Sequence, residues 1–117
     1  MKFLIILNRK PGPDEYAYNA LRIALQLQKD DNPHQLFIYL IADGAYCAVM
    51  DEIESKGPLN VSAMLGEVIG QGAEVKMCTS CGDARGLKDQ PQVKGVEWTN
   101  LKTLTDWIIQ CDKVINY

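Results

Sequence analysis

Val75-Lys76-Met77-Cys78-Thr79-Ser80-Cys81-Gly82-Asp83-Ala84-Arg85-Gly86 is the stretch on which the reading of this chain turns. Its first three residues run apolar, charged, apolar, the period of a β-strand. After Cys78 the alternation stops, and helix-compatible residues lead to a cation and a glycine. A strand therefore ends at Cys78 and a helical turn begins there. A cysteine at such a junction lies beside unpaired backbone N–H groups and the positive end of a helix dipole. Both favour the thiolate, the reactive form of the sulfur. Arg85 adds a fixed positive charge, and Gly86 suits a left-handed helix end.

Working outward, the chain alternates strand and helix patterns. Phe3 to Leu7 and Leu36 to Ile41 are continuous apolar runs, as in strands buried on both faces. Between them a helix is predicted from about Asp14, with Ala17, Ala20, Leu21, Ala24, Leu25 and Leu27 on a broad apolar face. Asp14 and Glu15 suit its start, and Asp30-Asp31-Asn32-Pro33 ends it. The turn Ala42-Asp43-Gly44 precedes a predicted helix over Ala45 to Ile53, and Lys56-Gly57-Pro58 reads as a loop. Val61, Met64, Leu65, Val68 and Ile69 recur at the spacing of a helix that Gly70 and Gly72 close. Ala73 to Met77 is the third strand. Leu87 to Lys94 reads as a surface loop and Val96 to Trp98 as a short strand. Thr99 or Asn100 can cap a helix with Leu101, Leu104, Trp107, Ile108 and Cys111 on one side, and Lys113 to Asn116 is a last strand.

This order implies an α/β fold with a mainly parallel sheet of about five strands, covered on both faces. Ligands in such sheets gather beyond the carboxyl ends of the strands. Three loops leave those ends, so residues distant in sequence can share one pocket. Its candidates are Asn8, Arg9, Asp43, Gly44, Tyr46, Cys47, Cys78, Cys81 and Arg85.

Composition narrows the classes. A chain of 117 residues fits one domain and can bury a core without disulfide staples. The net charge of -3, with no basic stripe, argues against direct nucleic-acid binding. The apolar run at Phe3 to Leu7 is too short for a signal peptide or a membrane span, which predicts a cytoplasmic protein. Thiols there stay reduced, so the four cysteines suggest redox, sulfur transfer, metal binding or burial rather than permanent disulfides.

Across nearly its whole length the chain resembles the DsrE/DsrF/TusD sulfur-relay family. The resemblance rests on the N-terminal strand and its small-residue helix, and on Asp43-Gly44 followed by the aromatic Tyr46. It rests further on the strand ending at Cys78, on Ala84-Arg85-Gly86, and on the closing Cys111-Asp112-Lys113-Val114-Ile115-Asn116-Tyr117. The spacing from Cys78 to Arg85-Gly86 is its most specific element. The resemblance implies a single DsrE-like domain over residues 1–117, folded as a three-layer α/β/α sandwich. It implies that Cys78 accepts persulfide sulfur, and that Cys81 is the second cysteine of a CxxCxxxRG pattern. It also implies trimers or hexamers, protein donors and acceptors of sulfur, and no cofactor.

Each feature also has a plainer reading. Cys78 and Cys81 can be packed thiols, and Arg85 can pair with Asp83 or a neighbouring acid. Cys47 and Cys111 read as core, His34 as a solvated loop residue, and Trp98 and Trp107 as core or subunit contact. Zinc wants four ligands, and no second cysteine pair is present. Three functions stay open: a persulfide relay on Cys78, a dithiol oxidoreductase using Cys78 and Cys81, and a non-catalytic binding or assembly subunit.

Overall fold

A computed structural model describes residues 1–49 and 60–117. Five strands are present among the described residues: β1 (Lys2–Leu7), β2 (Gln35–Leu40), β3 (Glu74–Cys78), β4 (Glu97–Thr99) and β5 (Lys113–Asn116). Four α-helices connect or follow them: α1 (Tyr16–Gln28), α2 (Val61–Gly70), α3 (Thr79–Ala84) and α4 (Leu101–Gln110). All strand pairs are parallel, in the order β4-β3-β2-β1-β5. The parallel sheet expected from the strand–helix alternation is the one observed.

Alternation along each strand sorts the core into two layers. Phe3, Ile5, Leu7, Leu36, Ile38, Leu40, Val75 and Met77 face one side, where Ala17, Ala20, Leu21 and Ala24 of α1 and Val61, Leu65 and Val68 of α2 cover them. Leu4, Phe37, Tyr39 and Cys78 face the other side, beneath Leu104 and Trp107 of α4. The chain thus has three layers, helix, sheet and helix. Asn100 starts α4 by accepting the Thr103 N–H, and Asn60 starts α2 by accepting the Ala63 N–H.

Four local readings change. The segment after β2 is a 3₁₀ helix, Ala42–Ala48, and not an α-helix starting at Ala45. Its buried Ala45 and Ala48 are three apart, the period of the tighter helix. Residues 50–53 of that predicted helix and the Lys56-Gly57-Pro58 loop lie outside the described residues. The stretch from Leu87 to Lys94 is a loop, but buried Leu87 and Val93 pin it to the main core. His34 is not solvated: its side chain is 11% exposed, bonds Asp30 at 2.6 Å and meets the Phe3 ring edge-on. Cys111 falls just past α4 as its C-cap and is half-buried against the second layer.

Candidate functional site

The carboxyl end of β3 carries Cys78, which belongs to the strand and also caps α3. β3 is an interior strand between β2 and β4. The pairing of Leu40 with Met77 brings the turn after β2 alongside Cys78. Strand parity turns the Cys78 side chain toward the layer of Tyr39 and Trp107, where it is 6% exposed. One helical turn later, Cys81 packs against the same cluster and is more exposed.

The two neighbouring thiols differ electrically. Burial pushes the Cys78 thiol up. The Ser80 hydroxyl at 3.2 Å, the Cys81 thiol, and the backbone N–H groups of Cys81 and Ser80 outweigh it, so Cys78 ends below the ordinary cysteine value. Burial and the neighbouring Cys78 drive Cys81 the other way. The Ala42 N–H, which donates to Cys81 Sγ at 3.2 Å, and the Arg85 charge recover only part of that rise. The first thiolate to form is therefore that of Cys78, with Cys81 as its hydrogen-bond donor. Cys111 is also raised, mainly by burial.

The turn after β2 is shaped for this contact. Ala42 holds a left-handed backbone, φ 52°, which an L side chain takes at a cost of about 1–2 kcal/mol. Gly44 is buried so closely against β1 that a Cβ there would overlap the Leu7 carbonyl oxygen. Arg85 ties the turn to α3: its Nε donates to Asp43 Oδ1 at 2.9 Å and its Nη1 to the Cys81 carbonyl at 3.1 Å. Gly82 allows α3 to lie on Trp98, whose ring a Cβ would meet at 2.6 Å. Gly86 has φ 66°, the left-handed end expected of it.

Cys78, Cys81, Asp43, Gly44 and Arg85 are thus brought together at the carboxyl end of the sheet. Tyr46 is exposed on the adjoining 3₁₀ segment, and Cys47 is buried with its thiol donating to the Arg9 carbonyl. Asn8 and Arg9 engage other partners. Asn8 bonds Asn116 of β5, while Arg9 pairs with Asp14 at 3.5 Å and lies 3.9 Å over the Tyr16 ring. Arg85 is not paired with Asp83; its acid is Asp43.

Two participants had gone unread. Tyr39 is fully buried, donates its hydroxyl to the Asn100 carbonyl at 2.9 Å, and is pushed up to about 12 by burial and then by Cys78 and Cys81. It is the one hydroxyl in an otherwise apolar strand from Leu36 to Leu40, which was its available signal. Ser80 reads only as a spacer between cysteines until its hydroxyl is placed. A cavity of about 300 Å³ lies at the amino end of the strands, lined by His34, Gln28 and Gln71 among others, away from the thiols. Among the described residues, no three His, Cys, Asp or Glu side chains are grouped to hold a metal ion, and no helix is long and apolar enough to cross a membrane.

A model of the DsrE/DsrF-like family matches residues 1–117. The chain belongs to that family. Among relatives, it is 30% identical to the protein YchN of Escherichia coli over 116 residues, covering 99% of this chain and 98% of YchN. A Methanopyrus kandleri protein is 34% identical over 111 residues, covering 95% of this chain and 89% of its own. The crystal structure of E. coli YchN superposes with a TM-score of 0.89, covering 100% of this chain and 99% of YchN. The five-stranded parallel sheet is thus the DsrE-like fold.

Proposed function

We propose that this chain is a sulfur carrier that accepts persulfide sulfur on Cys78 and passes it on. One observation carries the reading: Cys78, at the end of an interior strand, has its thiol lowered by four hydrogen-bond donors despite burial. In loading, the Cys78 thiolate attacks the outer sulfur of a donor R–S–SH. The new bond is Cys78 S–S, the donor's S–S bond breaks, and R–S⁻ leaves. In unloading, an acceptor thiolate takes the terminal sulfur and returns the Cys78 thiolate. No net oxidation occurs and no cofactor is needed. The neighbouring donors stabilise whichever sulfur holds the negative charge.

The proposed partners are a protein donor and a protein acceptor, with no direct contact to nucleic acid or membrane, in the cytoplasm. Arg85 serves as a brace for the Asp43 turn and as a positive charge beside Cys81. Whole-protein mass spectrometry before and after exposure to a persulfide donor tests the reading. The wild-type chain gains the mass of one sulfur atom, and Cys78→Ser gains none. Loading that persists in Cys78→Ser would refute it.

We further propose a homo-oligomer, trimeric or hexameric. Trp98, one candidate contact, is half-buried and turned toward the main core. Tyr46 remains exposed, and Leu101, Ile108, Ile109 and Val114 form a larger set of exposed apolar side chains on α4 and β5.

A further inference from the structure

We infer that Cys81 discharges sulfur from Cys78, releasing it as hydrosulfide and leaving a Cys78–Cys81 disulfide. The inference rests on the carrier reading and gives that site a second exit for its sulfur. Cys78 caps α3 and Cys81 lies three residues on, so both side chains fall on one side of the helix start. Both pack into the layer beneath α4, and each thiol shifts the other's titration. A relay alone needs one sulfur carrier, and a hydroxyl such as that of Ser80 suffices as a donor to it.

Cys81 is also supported from its far side. The Ala42 N–H points at its sulfur from a left-handed, strained residue, and Arg85 places its charge nearby while bonding the Cys81 carbonyl. They stabilise a negative charge on Cys81 when its proton leaves.

This placement decides which sulfur is attacked. Cys81 lies three residues from the anchored Cys78 sulfur, which becomes the inner sulfur of a Cys78–S–SH persulfide. Attack there forms the Cys78–Cys81 bond and breaks the bond to the terminal sulfur, which leaves as HS⁻. The terminal sulfur is reduced from the sulfane to the sulfide level, and the two cysteine sulfurs are oxidised to a disulfide. A dithiol reductant then restores the two thiols by exchange, taking the disulfide upon itself.

The test uses the full chain, loaded under exclusion of oxygen with glutathione persulfide and freed of excess donor. Hydrosulfide and protein mass are followed with time. Wild type first gains one sulfur atom, then releases one hydrosulfide per chain and ends lighter than its starting mass by two hydrogens. Trypsin, cutting after Lys76 and Arg85, places both cysteines in the peptide 77–85 for mapping of the disulfide. In Cys81→Ser and in Cys81→Ala the added sulfur persists at least about ten-fold longer, with no disulfide. Loaded wild type that keeps its sulfur as long as both variants, or loses it without a disulfide, overturns the inference and leaves the carrier reading intact. A wild-type chain that takes up no sulfur overturns both. The disulfide readout on wild type stands even if a variant fails to fold.

Discussion

At the scale of single residues, Ser80, Ala42 and Arg85 set two adjacent thiols apart. Burial acts on both, yet Cys78 collects donors and falls while Cys81 donates and rises. As pH is raised, Cys78 is therefore the first of the two to be alkylated. Its midpoint lies below the ordinary cysteine range, with Cys81 and Cys111 above it. Peptide mapping after brief iodoacetamide pulses at graded pH checks this order; Cys111 reacting before Cys78 would contradict it. Ser80→Ala removes the hydroxyl at 3.2 Å and shifts the Cys78 midpoint upward, toward the ordinary value. The position of the cysteine pair was legible because the strand period fails at Cys78. The partner of Arg85 was not, because Asp43 stands 42 residues away and only the β2–β3 register brings it close. The Ala42 amide was invisible for a different reason: a main-chain donor leaves no mark in the identity of its residue.

At the scale of elements, the turn after β2 is the part that tolerates least change. Gly44→Ala would force a methyl into the Leu7 carbonyl, and relief requires moving the backbone of the 3₁₀ segment. The expected loss is roughly 1–3 kcal/mol in urea unfolding. It comes with slower alkylation of Cys81 at a given pH, because the Ala42 donor that lowers that thiol moves with the turn. A substitution without effect on either readout would show that the turn is looser than drawn. The helices α1, α2 and α4 were legible from the 3.6-residue spacing of their apolar faces. The 3₁₀ segment was not: small residues such as Ala45 and Ala48 serve either helical period, and the close packing on β1 chose the tighter one. Cys111 shares the spacing of Leu104 and Trp107, but α4 stops before reaching it, so periodicity overshot the helix by one residue.

At the scale of the whole molecule, one layer is better covered than the other. Two helices lie over the Ile5, Ile38 and Val75 side, while α4 lies over the Leu4, Phe37 and Tyr39 side. Leu65, fully buried between α2 and the sheet, is expected to cost about 2–5 kcal/mol when cut to alanine, measured by chemical denaturation. The outer side of α4 behaves differently. Ile109 is 82% exposed, so Ile109→Asp should leave the unfolding free energy of the isolated chain within about 0.5 kcal/mol. If the chain assembles through α4 and β5, Ile109→Asp lowers the mass seen by light scattering at micromolar concentration. A wild-type monomer under the same conditions would remove the assembly proposal.

The depth of Cys78 has a consequence for reach. Its thiol is almost wholly covered, so a donor's sulfur has to be presented to it on an extended side chain. A second sulfur lengthens the side chain by about 2 Å, the length of one S–S bond. If the chain carries sulfur as proposed, the loaded arm reaches further out than the empty one, and a partner can read a charged carrier from a spent one as a difference in length.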